Sequence, residues 1–254
     1  MIKTDQPGIF DAELFTAVSS RDDGNMIILK TEDAKATVQN RRRFFEKLSL
    51  NFEDAVYMNV RDPAAWDLIY DASAADKGAG AHDIESAVVT DALVTNQQNL
   101  TIVLVTADCN PVIMYDPVKK VTALVHLGWQ STLANLAAKV ITHLQNRYGS
   151  DPADLKIHNG PSIRAQSYAF EPPITQADMP GWQPYLVAVD GGKIGIDLTG
   201  YNMRQCIEAG VRQNNIEVCP VDTATSANYF SHYRASRQGN SDNEGRFATL
   251  CMLR

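Results

Sequence analysis

LTIVLVTADCNPVIMYDPVKKVTALVHLGW, residues 100 to 129, is the stretch that decides the fold. Leu100 to Val105 is a continuous apolar run, too short for an ordinary helix and rich in β-branched side chains, so it reads as a strand. Pro111 to Tyr115 is a second such run. Asp116-Pro117 and Lys119-Lys120 supply a turn, and Val121 to Leu127 is a third strand. Two chemically loaded segments sit at the ends of these runs. Thr106-Ala107-Asp108-Cys109-Asn110-Pro111 follows the first, and His126-Leu127-Gly128-Trp129 ends the third.

The pattern then changes period. Leu133, Leu136, Ala137, Val140, Ile141 and Leu144 follow the 3.6-residue spacing of a helix with one buried face, with Ser131 as its expected N-cap and Gly149 as its stop. The segment from Thr31 to Leu48 predicts a second helix, which carries the basic run Arg41-Arg42-Arg43, and Asp197 to Gly210 a third. Asp71 to Asp83 (DASAADKGAGAHD) lacks a periodic apolar face and reads as a mobile loop. Glu171 to Pro184, with Pro172, Pro173, Pro180 and Pro184, reads as irregular or edge structure. The tail from Tyr229 to Leu253 predicts a hairpin whose polar loop runs from Gln238 to Glu244. Strands and helices without regular βαβ alternation indicate an α+β (mixed α/β) fold, one domain over residues 1–254, with mixed sheets flanked by helices.

Composition narrows the chemistry. The 254 residues hold 23 Lys+Arg and 30 Asp+Glu, a net charge of −7, with no long basic run, which argues against nucleic acid as a partner. No apolar run is long enough to cross a membrane, and MIKTDQPGIF lacks the pattern of a secretory signal, so the expected location is cytoplasmic. The four Cys (Cys109, Cys206, Cys219, Cys251) form no CxxC pair and indicate reduced thiols. Only five His are present, too few and too scattered for several copper sites. Cys109 and His126 are the pair that strand ends would hold in place. A thiolate and an imidazole suit a zinc ion; alternatively, His126 could deprotonate Cys109 to make a nucleophile. Each residue also has an ordinary reading, as a small buried hydrophobe and a satisfied core histidine.

TADCNPVIMYDP, VTALVHLGW, the amphipathic helix and Gly160-Pro161-Ser162-Ile163, in that order, resemble the YfiH or laccase-domain family, also described as multicopper polyphenol oxidase-like, as purine nucleoside phosphorylase and as peptidoglycan editing factor. Ser20-Arg21, Asn40-Arg41, Thr90 to Thr95, Asp197-Leu198 with Asn202, Phe230 to Arg234 and Gly245-Arg246 extend the resemblance over nearly the whole chain. It implies a YfiH-like fold and phosphorolysis of adenosine or inosine to free base and ribose 1-phosphate, with adenosine deamination as a related activity. A cysteine-type amidase acting on peptidoglycan precursors, or a catalytically impaired descendant, is the alternative. The resemblance also implies one zinc per chain held by His, Cys and His. Cys109 and His126 match two of these positions. The third falls on Asn59, so His82 is the remaining candidate ligand. Arg21, Arg41 and Arg234 are candidate substrate contacts for phosphate by motif position; a solvent-facing or ion-paired role is the plain alternative. Gln130 and Ser131 stand where the family has Arg and Gly. Trp129 could stack on a base or simply pack; Asp108 could orient His126, bind a substrate hydroxyl or cap its own turn. His143 is expected to face solvent.

Overall fold

The computed structural model describes residues 7–28, 34–60, 65–239 and 244–254. The quoted stretch forms three strands: β5 (Thr101–Thr106), β6 (Asn110–Asp116) and β7 (Val121–Leu127). The preceding strands are β1 (Leu14–Val18), β2 (Ala55–Tyr57), β3 (Ile69–Asp71) and β4 (Ala92–Thr95). After them come β8 (Lys156–Asn159), β9 (Ala169–Phe170), β10 (Leu186–Val189), β11 (Lys193–Ile196), β12 (Ile216–Val218) and β13 (Phe247–Leu253). They assemble into a four-stranded sheet β1-β13-β5-β2, a six-stranded sheet β12-β8-β6-β7-β4-β3 and a three-stranded sheet β10-β11-β9. Parallel and antiparallel pairings mix in both large sheets.

The two large sheets pack face to face, and period two explains the core. Ile113, Tyr115 and Leu124 meet Ile102, Leu104 and Cys251 between the sheets. The alternate residues Val112, Met114, Ala123 and Val125 face the opposite way, onto α3 (Leu136–Tyr148) and α4 (Leu198–Glu208). On the far side, Val103 and Leu250 pack with Phe44 and Phe45 of α1 (Ala34–Lys47). Both faces of the central strands are therefore covered, which is why they read as unbroken apolar runs rather than alternating ones.

Three expectations change. The helix after Ser131 is two pieces, a short α2 (Trp129–Leu133) and then α3, separated where Asn135 takes a left-handed φ of 56°. Ser131 lies inside α2: its hydroxyl accepts from Gly128 N–H (3.0 Å) and donates to the His126 carbonyl (2.9 Å). Gly149 stops α3 at φ 70°, as expected.

The Asp71–Asp83 stretch is not a free loop. Asp71 ends β3, Ser73 and Asp76 cap a short turn, and the Ala79 carbonyl accepts from Tyr57 N–H at 2.9 Å. Gly80, at φ +71°, lies so close to its neighbours that a Cβ would meet those of Ala87 at 2.6 Å and Tyr57 at 2.8 Å.

The tail is not a hairpin. Its first part forms α5 (His232–Gln238), capped by Ser231, whose hydroxyl accepts from Arg234 N–H at 3.1 Å. The second part, β13, inserts between β1 and β5. Non-local pairing overrides the local hairpin signal here. Residues 240–243 of the expected hairpin loop, and residues 31–33 of the expected first helix, lie outside the described residues. The Glu171–Pro184 stretch is irregular, as expected, with short turns at Thr175–Asp178 and Gln183–Tyr185 around a buried Trp182.

Candidate active site

The chain crosses from one large sheet to the other between Thr106 and Asn110, and Cys109 sits in that crossing. Asp108 takes φ 81° to make the turn. Its carboxylate accepts from the Thr223 hydroxyl and from Tyr233 N–H, both at 2.7 Å, so it ties α5 to the crossing. That engages both carboxylate oxygens and leaves the orienting of His126 to another residue.

Antiparallel register supplies that residue. Ala92 pairs with Val125, so Asp91, just before β4, stands beside His126. His126 N–H donates to the Asp91 carbonyl at 2.7 Å, and its Nδ1 lies 3.1 Å from Asp91 Oδ1. On the other side, Cys109 Sγ and His126 Cε1 each lie 3.2 Å, and Nε2 3.5 Å, from the point a Gly128 Cβ would occupy. A side chain at 128 would crowd both groups. Burial disfavours the imidazolium, but the charge and hydrogen bonds of Cys109 and Asp91 outweigh it and raise the His126 pKa to about 10.

Cys109 and His126 open onto a cavity of about 230 Å³. Arg41 and Arg246 line its walls together with Asn59 and the apolar Ile27, Met58, Ile84 and Val105. Arg41 is only 3% exposed. Its Nε donates to Met26 O (2.8 Å) and its Nη1 to Gly80 O (2.7 Å) and Ala81 O (3.0 Å), over the Tyr57 ring at 4.0 Å. Among the described residues these bonding partners are carbonyls, not carboxylates, so the cation's charge is not neutralised locally. Burial lowers its pKa from the ordinary arginine value. Two residues that line the cavity carry buried polar atoms, Tyr57 Oη and Thr106 Oγ1, with no hydrogen-bond partner among the described residues. Orphans of this kind mark a place where a polar ligand fits.

The other expected residues are placed elsewhere. Arg21 lies over the Phe230 ring at 5.0 Å and does not border this cavity. Arg234 Nη1 donates to Thr223, Ala224 and Ser226 carbonyls, and Nη2 to Tyr229 O, which staples that loop. Trp129 packs on Trp182 with centroids 5.2 Å apart. His143 is bonded to Asp71 at 2.9 Å. His82 as third metal ligand is corrected: its Nε2 is bonded to exposed Glu53 at 2.8 Å and its ring lies on Phe52. Three contributors carried no role in the sequence reading: Asp91, Arg246 and His232, which borders the cavity from α5.

Comparison with known proteins now bears on this geometry. Residues 17–254 match the family described as multi-copper polyphenol oxidoreductase laccase. The chain belongs to that family. It is 29% identical over 216 residues to purine nucleoside phosphorylase YlmD of Geobacillus stearothermophilus, covering 83% of this chain and 78% of that protein. It is 27% identical over 167 residues to YlmD of Bacillus subtilis, 63% of this chain but only 59% of that protein. Among solved structures, YlmD of G. stearothermophilus superposes with a TM-score of 0.86 at 25% identity, over 98% of this chain and 94% of that one. The Bacillus licheniformis protein YfiH gives 0.82 at 24% identity, over 95% and 93%. The laccase-family fold thus extends through the chain, and no helix among the described residues is long and apolar enough to cross a membrane.

The family is associated with metals, and the residues here do not fit one. Cys109 and His126 converge, but the wall opposite offers the neutral amide of Asn59. Among the described residues no group of three or more His, Cys, Asp or Glu is arranged to hold a metal ion. Two soft donors fall short of the three protein ligands of a catalytic zinc.

Thiol reactivity follows from the same placement. Cys206 and Cys251 are fully buried, and burial pushes both thiols up to about 12; Cys219 is buried as well. Iodoacetamide on the native protein is therefore expected to modify Cys109 alone, as read by peptide mass mapping. Modification spread evenly over the four thiols would contradict the placement.

Proposed function

We propose that this chain cleaves purine nucleosides with phosphate, converting adenosine or inosine to free base and ribose 1-phosphate. The observation that carries the reading is one cavity holding a buried Arg41 without a carboxylate partner, Arg246, and the Asp91–His126–Cys109 array. Fixed guanidinium groups in a low-dielectric wall attract a phosphate dianion strongly. The phosphate oxygen attacks the anomeric carbon of the ribose, the C–N glycosidic bond breaks, and its electron pair goes to the base. His126, held by Asp91, donates the proton that the departing base requires. The names of the YlmD relatives support this reading. Deamination of adenosine would need a metal-activated water, and the donor set lends that activity no support.

The test is chromatography of adenosine and inosine reactions with and without phosphate. Phosphate-dependent release of base and ribose 1-phosphate is expected; no release at enzyme concentrations equal to substrate would end the proposal. Arg246→Ala is expected to raise the KM for phosphate about 10-fold, the value of one charge-assisted contact, and to leave the KM for nucleoside unchanged. One observation favours a second reading: Cys109, His126 and Asp91 stand in the order of a thiol–imidazole–carboxylate triad, as a cysteine-type amidase of peptidoglycan precursors would use. Amide hydrolysis that survives Cys109→Ala would dismiss it.

A further inference from the structure

Asn110 opens β6 directly after Cys109, Asn159 ends β8, and Asn202 lies in α4. All three are 0% exposed. Sheet register explains why they meet. Val112 pairs with Asn159, and Asn110 is two residues before Val112, so Asn110 and Asn159 are diagonal neighbours on the sheet face that α4 covers. Asn202 Nδ2 donates to Asn110 Oδ1 at 3.4 Å, a long bond. Asn159 Nδ2 donates to Gly160 O at 2.9 Å and to Ser162 Oγ at 3.3 Å. One donor, Asn110 Nδ2, and two acceptors, Asn159 Oδ1 and Asn202 Oδ1, are left buried without a partner among the described residues. A water molecule satisfies all three together, since it accepts one bond and donates two, the usual number for an internal water. We propose that these amides enclose one internal water and that, through it and Asn110, Asn202 is a positioning residue for Cys109.

The connection to the thiol is short. Side chains alternate along a strand, so Asn110 faces α4 while Cys109 faces the cavity. Pairing of Asn110 with Leu127 brings Cys109 opposite Gly128, the place where its Sγ approaches His126. Two anchors hold the crossing on either side. Upstream, the Asp108 carbonyl accepts from Ile163 N–H at 2.9 Å, and its carboxylate is held by Thr223 and Tyr233. Downstream, the Pro111 carbonyl accepts from Gly160 N–H at 2.9 Å. Asn110 stands between Cys109 and that second anchor, and the amide layer is what fixes its side chain. Asn202 reaches the layer from a rigid helix start, because Asp197 caps α4 by accepting from Gly200 N–H at 2.9 Å.

The experiment reads the water and the thiol, so it is independent of the reaction the site performs. A high-resolution crystal structure of the natural protein is expected to show one water bonded to all three amides. Direct amide–amide bonds with no water between them overturn the proposal, whether or not any variant folds. Asn202→Leu keeps the volume, cannot bond and expels the water. Its rate of Cys109 alkylation by iodoacetamide is followed by peptide mass mapping at a temperature where circular dichroism shows it folded. That rate is expected to fall about 10-fold, the cost of moving a reacting group by a fraction of an ångström from its imidazole partner. Asn202→Ser leaves room for a second water beside its hydroxyl and is expected to recover most of the rate, which restored packing could not explain because serine is the smaller side chain. A Cys109 rate in Asn202→Leu within about 2-fold of the natural protein, or no recovery in Asn202→Ser, removes Asn202 from the positioning of Cys109.

Discussion

Asp91→Asn is expected to reduce phosphate-dependent base release by about 10²–10⁴-fold while leaving the fold intact. The substitution is nearly isosteric, and the backbone bond from His126 N–H to the residue-91 carbonyl survives it. What changes is the partner of Nδ1. A carboxylate fixes the proton on Nδ1, turns Nε2 towards Cys109 and stabilises the imidazolium; an amide does none of these reliably. Asp91 is a positioning residue, so the pH profile separates its role from mere structural support. Asp91 helps raise the His126 pKa to about 10, so wild-type activity should fall as pH rises through that value. Loss of the carboxylate lowers the imidazole pKa, and the alkaline limb moves to lower pH. Equal activity and an unmoved limb in Asp91→Asn would remove Asp91 from the mechanism. The same linkage applies to stability. A raised histidine pKa contributes stability that is complete below the unfolded value near 6.5 and is lost as pH rises towards about 10.

How much of this was legible in the sequence differs by element. β7 begins and ends where its apolar run does, because a strand covered on both faces shows its limits as a change in hydropathy. Cys109 and His126 were legible for the same reason: both stand where such runs stop. Asp91 was in view as part of a resembling segment, yet its role depends on the β4–β7 register, which no local pattern states. His232 and Arg246 were hidden by the hairpin expectation. Their place at the cavity follows from β13 entering the sheet between β1 and β5, far away in sequence, which carries α5 and Arg246 to the crossing at Cys109. The arginines separate by burial rather than by motif. Arg41 and Arg234 both bind carbonyls, but only Arg41 does so in the wall of the Cys109 cavity. Charge in a sequence does not say which way a guanidinium turns.

Asn59→His is expected to give this cavity a metal affinity that the natural sequence lacks. Two of three donors already converge, and the orientation that a zinc-binding imidazole needs is present, since Asp91 holds His126 by Nδ1 and leaves Nε2 free to coordinate. The missing element is one donor. A neutral amide oxygen competes poorly with water for a borderline ion, whereas an imidazole at the same place on the wall completes a three-ligand set with an open fourth position. After dialysis against trace zinc, elemental analysis should find well below one zinc per chain in the natural protein and about one in the variant. Cobalt substitution gives an independent readout, because a tetrahedral thiolate site absorbs in the visible and a hydrated ion does not. Zinc should also protect Cys109 from iodoacetamide in Asn59→His but not in the natural chain, which separates binding at this cavity from binding elsewhere on the surface. A natural protein that retains one zinc per chain, with Cys109 protected, would show that Asn59 is no obstacle and would return the site to metal chemistry.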